Sequence, residues 1–132
     1  MRLTCHCGAA ELRVTLADGL ATARRCDCSF CRRRGVAPVT VNERDLEVVQ
    51  GNTLTLYQWN TGVAQHYFCS VCGIYTHHRR RSNPDEMGVN AACLDGVSPF
   101  DFAEVPVNDG KNHSKDGPTR GTIGMLRFEG DP

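Results

Sequence analysis

The chain has 132 residues, 40% of them hydrophobic and only 7% aromatic. That length fits a single domain, residues 1–132, with a modest core whose apolar burial is thin enough for metal crosslinks to help. Lysine and arginine together number 15, as do aspartate and glutamate, so no net charge draws the chain to nucleic acid or to an anionic membrane. No window is apolar enough to span a membrane, and Met1-Arg2-Leu3-Thr4-Cys5 lacks the apolar centre of a secretion signal. The expected location is the reducing cytoplasm, where clustered cysteines serve as metal ligands or reactive thiols before they serve as disulfides.

In chain order the pattern predicts strands. Glu11 to Leu16 alternates polar and apolar side chains and ends at the turn Asp18-Gly19. Val36 to Val41 is rich in β-branched residues but holds Pro38, which suits an edge or bulged strand. Leu46 to Val49 runs to a turn at Gly51-Asn52. Thr53 to Trp59 and Val63 to Phe68, joined by Asn60-Thr61-Gly62, read as a hairpin that delivers the chain into Cys69. Ile74 to His78 and Met87 to Ala92 are further strands, and Met125 to Phe128 is a last short element. No stretch carries a helical repeat over three turns, and there is no internal repeat or low-complexity linker.

Seven of the 8 cysteines fall in three groups: Cys5-His6-Cys7-Gly8, Cys26-Asp27-Cys28-Ser29-Phe30-Cys31 and Cys69-Ser70-Val71-Cys72-Gly73. Two zinc-bound sulfurs lie about 3.8 Å apart, given Zn–S near 2.3 Å, and a tight turn across C-x-x-C achieves that spacing. Cys5 and Cys7, two apart as in a strand, present both sulfurs to one side. Pairing Cys5 and Cys7 with Cys69 and Cys72 gives a closed, structural zinc site and staples the N-terminus to the middle of the chain. Cys26, Cys28 and Cys31 offer three thiols and leave a fourth direction. Its candidates are Cys93, one of His66, His77 and His78, water, or a substrate thiol. His77 and His78 point opposite ways in a strand, and His6 points away from its neighbours' metal. Arginines flank the middle group: Arg24 and Arg25 before it, Arg32, Arg33 and Arg34 after it, with Arg79, Arg80 and Arg81 further on. They offset thiolate charge or grip a carboxylate, and Arg32 is the candidate substrate-binding residue.

These three groups in this order resemble the glutathione-dependent formaldehyde-activating family, whose domain is shared with the centromere protein V group. Val89-Asn90-Ala91-Ala92-Cys93-Leu94-Asp95 and Asp109-Gly110-Lys111-Asn112-His113 add to the likeness, which spans about residues 3 to 113. The resemblance implies a mainly β fold of small antiparallel sheets around a structural zinc, a β-tent. It implies that zinc on Cys5, Cys7, Cys69 and Cys72, and a second, labile and catalytic zinc on Cys26, Cys28 and Cys31. It also implies a carbon–sulfur lyase-type reaction in which glutathione adds to formaldehyde, with a small thiol and a small aldehyde as partners. Asp27 departs from the His or Asn more often expected there, and puts a carboxylate beside the open site. Two other readings stand beside this one: a non-catalytic zinc module that binds protein or nucleic acid through its arginines, and a redox protein exchanging Cys28 with Cys31.

Overall fold

The computed structural model describes residues 1–131. The elements in chain order are β1 (Arg2–Thr4), β2 (Glu11–Val14), β3 (Arg25–Cys26), α1 (Ser29–Arg34), β4 (Pro38–Asn42), β5 (Leu46–Gln50), β6 (Leu54–Tyr57), β7 (Gln65–Cys69), β8 (Tyr75–Arg79), β9 (Glu86–Asn90), β10 (Glu104–Asn108) and β11 (Thr122–Arg127). The fold is mainly β and is built of small sheets, in the orders β1-β2-β5, β11-β10-β3 and β4-β9-β8-β7-β6. Pairing is antiparallel apart from β3 with β10, which run parallel.

The alternation at residues 11 to 14 does what the pattern predicts: Leu12 and Val14 are buried and Arg13 faces out. Leu3, Leu12, Val39, Val41, Val89 and Val105 are fully buried in one cluster. Each contributes about 1.5–3 kcal/mol by leaving water. Pro38 opens β4, which lies at the end of the five-stranded sheet and pairs only with β9, so its missing N–H interrupts no ladder. β6 and β7 form the expected hairpin, with Leu54 opposite Cys69 and Tyr57 opposite His66. Its connection turns through Asn60 and Gly62, both at positive φ.

Three features differ from the sequence reading. Cys5 to Gly8 is a tight turn after β1 rather than a strand. The Gly8 N–H donates to the Cys5 carbonyl at 3.3 Å, and Gly8 takes φ +81°. The middle cysteine group is partly helical: α1 starts at Cys28, whose Sγ accepts from the Cys31 N–H, and ends at Gly35 in the left-handed region. At six residues, α1 is too short to produce a visible periodicity. The C-terminal element starts earlier, because β11 spans Thr122–Arg127 and lies on β10. β10 in turn lies beside β3, with Asn108 opposite Cys26, and so carries residues 108 to 110 onto the middle cysteines.

Candidate functional site

Cys5, Cys7, Cys69 and Cys72 place their sulfurs within 4.8 Å of one another. The Cys5–Cys7 and Cys7–Cys69 Sγ···Sγ distances are 3.6 and 3.7 Å, close to the spacing of two thiolates on one zinc. Two local turns produce this. The Gly73 N–H returns to the Cys69 carbonyl at 2.8 Å, and the Ala10 N–H donates to Cys5 Sγ at 3.3 Å. The Thr53 hydroxyl and the Cys72 N–H hold the Cys69 thiol down at about 6, which favours the thiolate a metal needs. Cys5 and Cys69 are buried with Ala10 under Leu54, so the cluster doubles as a small core.

Cys26, Cys28 and Cys31 form a second cluster, also within 4.8 Å, and among the described residues no further cysteine, histidine or carboxylate belongs to it. Cys26 comes from β3, Cys28 from the cap of α1 and Cys31 from its first turn. Backbone N–H groups converge on the sulfurs: Cys28 N–H on Cys26 at 3.4 Å and Cys31 N–H on Cys28 at 3.2 Å. Hydrogen bonding to the Cys26 and Cys31 thiols holds the Cys28 thiol far below its ordinary range, and Cys31, bonded in turn to Cys26 and Cys28, is pushed up. Two clusters of thiols at metal-ligand spacing fit zinc by donor type and by distance.

The three sulfurs line a cavity of about 850 Å³. Arg34 enters it from the last turn of α1. Its guanidinium carbon lies 4.1 Å from the Tyr75 ring centre and 5.2 Å from that of Phe30. From there it donates to Cys31 Sγ at 3.6 Å and to His66 Nδ1 at 3.2 Å. Arginine is always a donor, so His66 Nδ1 accepts and its proton sits on Nε2. Burial, with the charge of Arg34, pulls His66 down to about 4 and keeps it neutral at pH 7. His78 also lines the cavity, lies well below its ordinary value through burial, and bonds through Nδ1 to the Tyr75 hydroxyl.

Arg32 is exposed and does not line the cavity; the arginine two residues on reaches the sulfurs instead. One helical turn separates Cys31 from Arg34, which puts them on one face, and a sequence reading that treats residues 26 to 34 as a loop has no basis for that choice. Asp27 turns away from the sulfurs, and its Oδ1 accepts the Gly110 N–H at 2.8 Å. Cys93 packs against the apolar core, bonds to the Tyr75 carbonyl at 3.7 Å, and is raised to about 11 by burial. His77 stacks on Tyr67 at 4.6 Å, and His6 is exposed. The cavity wall contributed by Asn108, Asp109, Gly110 and His113 follows from the β3–β10 pairing, a non-local contact with no sequence periodicity to announce it.

A mainly β chain with one group of four thiols and one of three beneath a basic cavity is a protein with two cysteine clusters that could hold metal ions, an arrangement consistent with zinc. The family model of the glutathione-dependent formaldehyde-activating enzyme matches residues 1–105, and the chain belongs to that family. It is also similar to a Rhodobacter sphaeroides protein of known crystal structure. The two are 61% identical, the match covers 81% of this chain and 99% of that one, and the TM-score is 0.79. Among the described residues no helix is long and apolar enough to cross a membrane.

Proposed function

We propose that the chain is a single zinc domain of the β-tent kind that works in the cytoplasm and adds glutathione, or a related small thiol, to formaldehyde or a related aldehyde. The observation that carries this reading is the opening of the Cys26–Cys28–Cys31 cluster into a cavity large enough for a small peptide. Cys5, Cys7, Cys69 and Cys72 would hold a structural zinc, and Cys26, Cys28 and Cys31 a catalytic one. A zinc ion on three thiolates supplies acidification of a substrate thiol and polarisation of an aldehyde oxygen.

The chain's own groups do the rest. Arg34, in the place expected of Arg32, offsets thiolate charge beside Cys31 and steers an acidic substrate toward it. The substrate sulfur attacks the carbonyl carbon and forms the new C–S bond. The C=O π pair moves to oxygen, and the proton lost by the thiol is regained there through solvent. His66, neutral and protonated on Nε2, offers a hydrogen bond to that oxygen as charge develops. Because the same addition runs unaided in water, only a small acceleration is required of the protein. Exchange NMR of the formation of S-hydroxymethylglutathione tests the reading. Zinc-loaded protein should accelerate the exchange and Cys28→Ser should not, whereas equal rates with and without protein would refute the assignment.

Arg24, Arg25, Arg34, Arg80, Arg81 and Lys111 line one cavity, which favours a small acidic ligand over a nucleic-acid backbone.

A further inference from the structure

The cavity above the three sulfurs is lined by Arg24, Arg25, Arg34, Arg80, Arg81 and Lys111, and by two acids, Asp109 and Asp116. Both acids are already engaged. Asp109 is buried and accepts from the Asn112 N–H at 3.2 Å, the Asn112 side-chain amide at 3.0 Å and the Arg120 N–H at 3.1 Å. Asp116 holds Arg81 through both carboxylate oxygens. Four of the six cations are not matched in return. Among the described residues no carboxylate lies within 4.0 Å of Arg24, Arg25, Arg34 or Lys111. Arg80 reaches Glu86 with Nη1 at 3.3 Å and leaves Nη2 buried and without a partner. Arg25 Nε and Arg34 Nε are likewise buried and without a partner.

Buried guanidinium donors are costly to leave unpaired, and native proteins rarely do so without a reason at the site. Here three of them belong to arginines that line one cavity, Arg25 from β3, Arg34 from α1 and Arg80 just after β8. Of these three, only Arg34 bonds to a sulfur of the cysteine cluster, so thiolate charge does not account for Arg25 and Arg80. We propose that the cavity contains an anion subsite, formed by Arg25, Arg34 and Arg80, that binds the acidic groups of a small substrate, carboxylate or phosphate. Arginine suits either group, because its planar fork matches both. The lining acids are taken, so the subsite has no free carboxylate for an ammonium group. It therefore favours a net-negative ligand over a zwitterion of equal size. This deepens the thiol–aldehyde reading by naming what the far end of the substrate carries, and it rests on that reading only for where the reacting end lies.

The test uses zinc-loaded protein and ligands that lack a thiol, so binding is separated from the reaction. Calorimetry would compare S-methylglutathione, its N-acetyl derivative, its diethyl ester and inorganic phosphate. The N-acetyl form should bind at least as tightly as the parent, and the diester about tenfold more weakly or worse. Arg25→Gln and Arg80→Gln should each weaken the acidic forms about tenfold and leave the diester unchanged. If one variant fails to fold, the other decides, and the ligand series on the unmodified protein decides alone if both fail. Arginine-dependent binding of phosphate without binding of S-methylglutathione would keep the subsite, assign it to a phosphate-bearing substrate and remove glutathione from the proposed function. Tight S-methylglutathione binding with no acceleration of adduct formation would keep the subsite and refute the reaction. A diester that binds as well as the diacid, or no binding of any of the four, would overturn the subsite.

Discussion

Replacing Gly110 by alanine adds one methyl group at the most crowded point of the three-sulfur cluster. The new Cβ would lie 2.0 Å from Cys26 Sγ, 2.9 Å from the Cys28 nitrogen and 3.0 Å from Cys28 Cβ. Ordinary contact is about 3.5–4.0 Å, so the Cys26 sulfur would have to retreat by roughly 1.5 Å. Gly110 is not among the glycines at positive φ, so the backbone accepts alanine and only space is at issue. Neither side yields easily. Cys26 is held in register with Asn108, and the Gly110 N–H is fixed to Asp27 at 2.8 Å. Overpacking of this kind costs about 1–3 kcal/mol, whereas ligand distances tolerate only about 0.2 Å before a metal site degrades. The expected result, by elemental analysis of zinc-saturated protein, is loss of one zinc per chain with a modest fall in Tm and loss of adduct formation. Gly124→Ala on β11, with nothing within 4 Å of its new methyl, is the control and should keep both ions. A Gly110→Ala protein with full zinc and full activity would refute the claim that the β10–β11 hairpin presses on the cluster.

Three further outcomes are expected. Cys5→Ser should release the zinc of the four-sulfur cluster and lower stability by about 4 kcal/mol, the loop-closure value for the roughly sixty residues between its two halves, measured by urea unfolding. Burial pulls His66 and His77 down to about 4, and His78 further. The unfolded chain therefore binds more protons than the folded one between pH 6.5 and 4. Stability should be complete above pH 6.5 and fall as pH drops through that window by about 1.4 kcal/mol per pH unit for each histidine; below it the contributions of His66 and His77 level off while that of His78 goes on falling. His77→Phe should flatten that slope in unfolding curves by one proton. Arg34→Met keeps the apolar stack on Tyr75 and Phe30 but removes the charge. It should lower kcat/KM for glutathione and formaldehyde about tenfold or more while zinc content holds, and Arg34→Lys should not restore it.

Much of this could be read in the residues. Alternation fixed β2 and the β6–β7 hairpin, and the spacing of the cysteines grouped them as they stand in space, because both signals are local. What escaped is non-local or short. The six residues of α1 are fewer than two turns, so nothing distinguished Arg34 from Arg32 until Cys28 was seen to cap that helix. The turn at Cys5–Gly8 looked like a strand because i and i+2 side chains can also converge across a tight turn closed by a glycine at positive φ. The parallel pairing of β3 with β10 joins residues more than 80 apart, and no pattern within either strand predicts it. That pairing sets Gly110 against Cys26 and turns Asp27 away from the sulfurs.

The most direct measurement is the zinc content of fully loaded protein and of its Cys28→Ser variant, set beside their melting curves. Two ions per chain falling to one, with Tm nearly unchanged, is the result expected if one cluster fastens the fold and the other faces a substrate. An unchanged zinc content in the variant, or a collapse of the fold with the loss of that single sulfur, would contradict it.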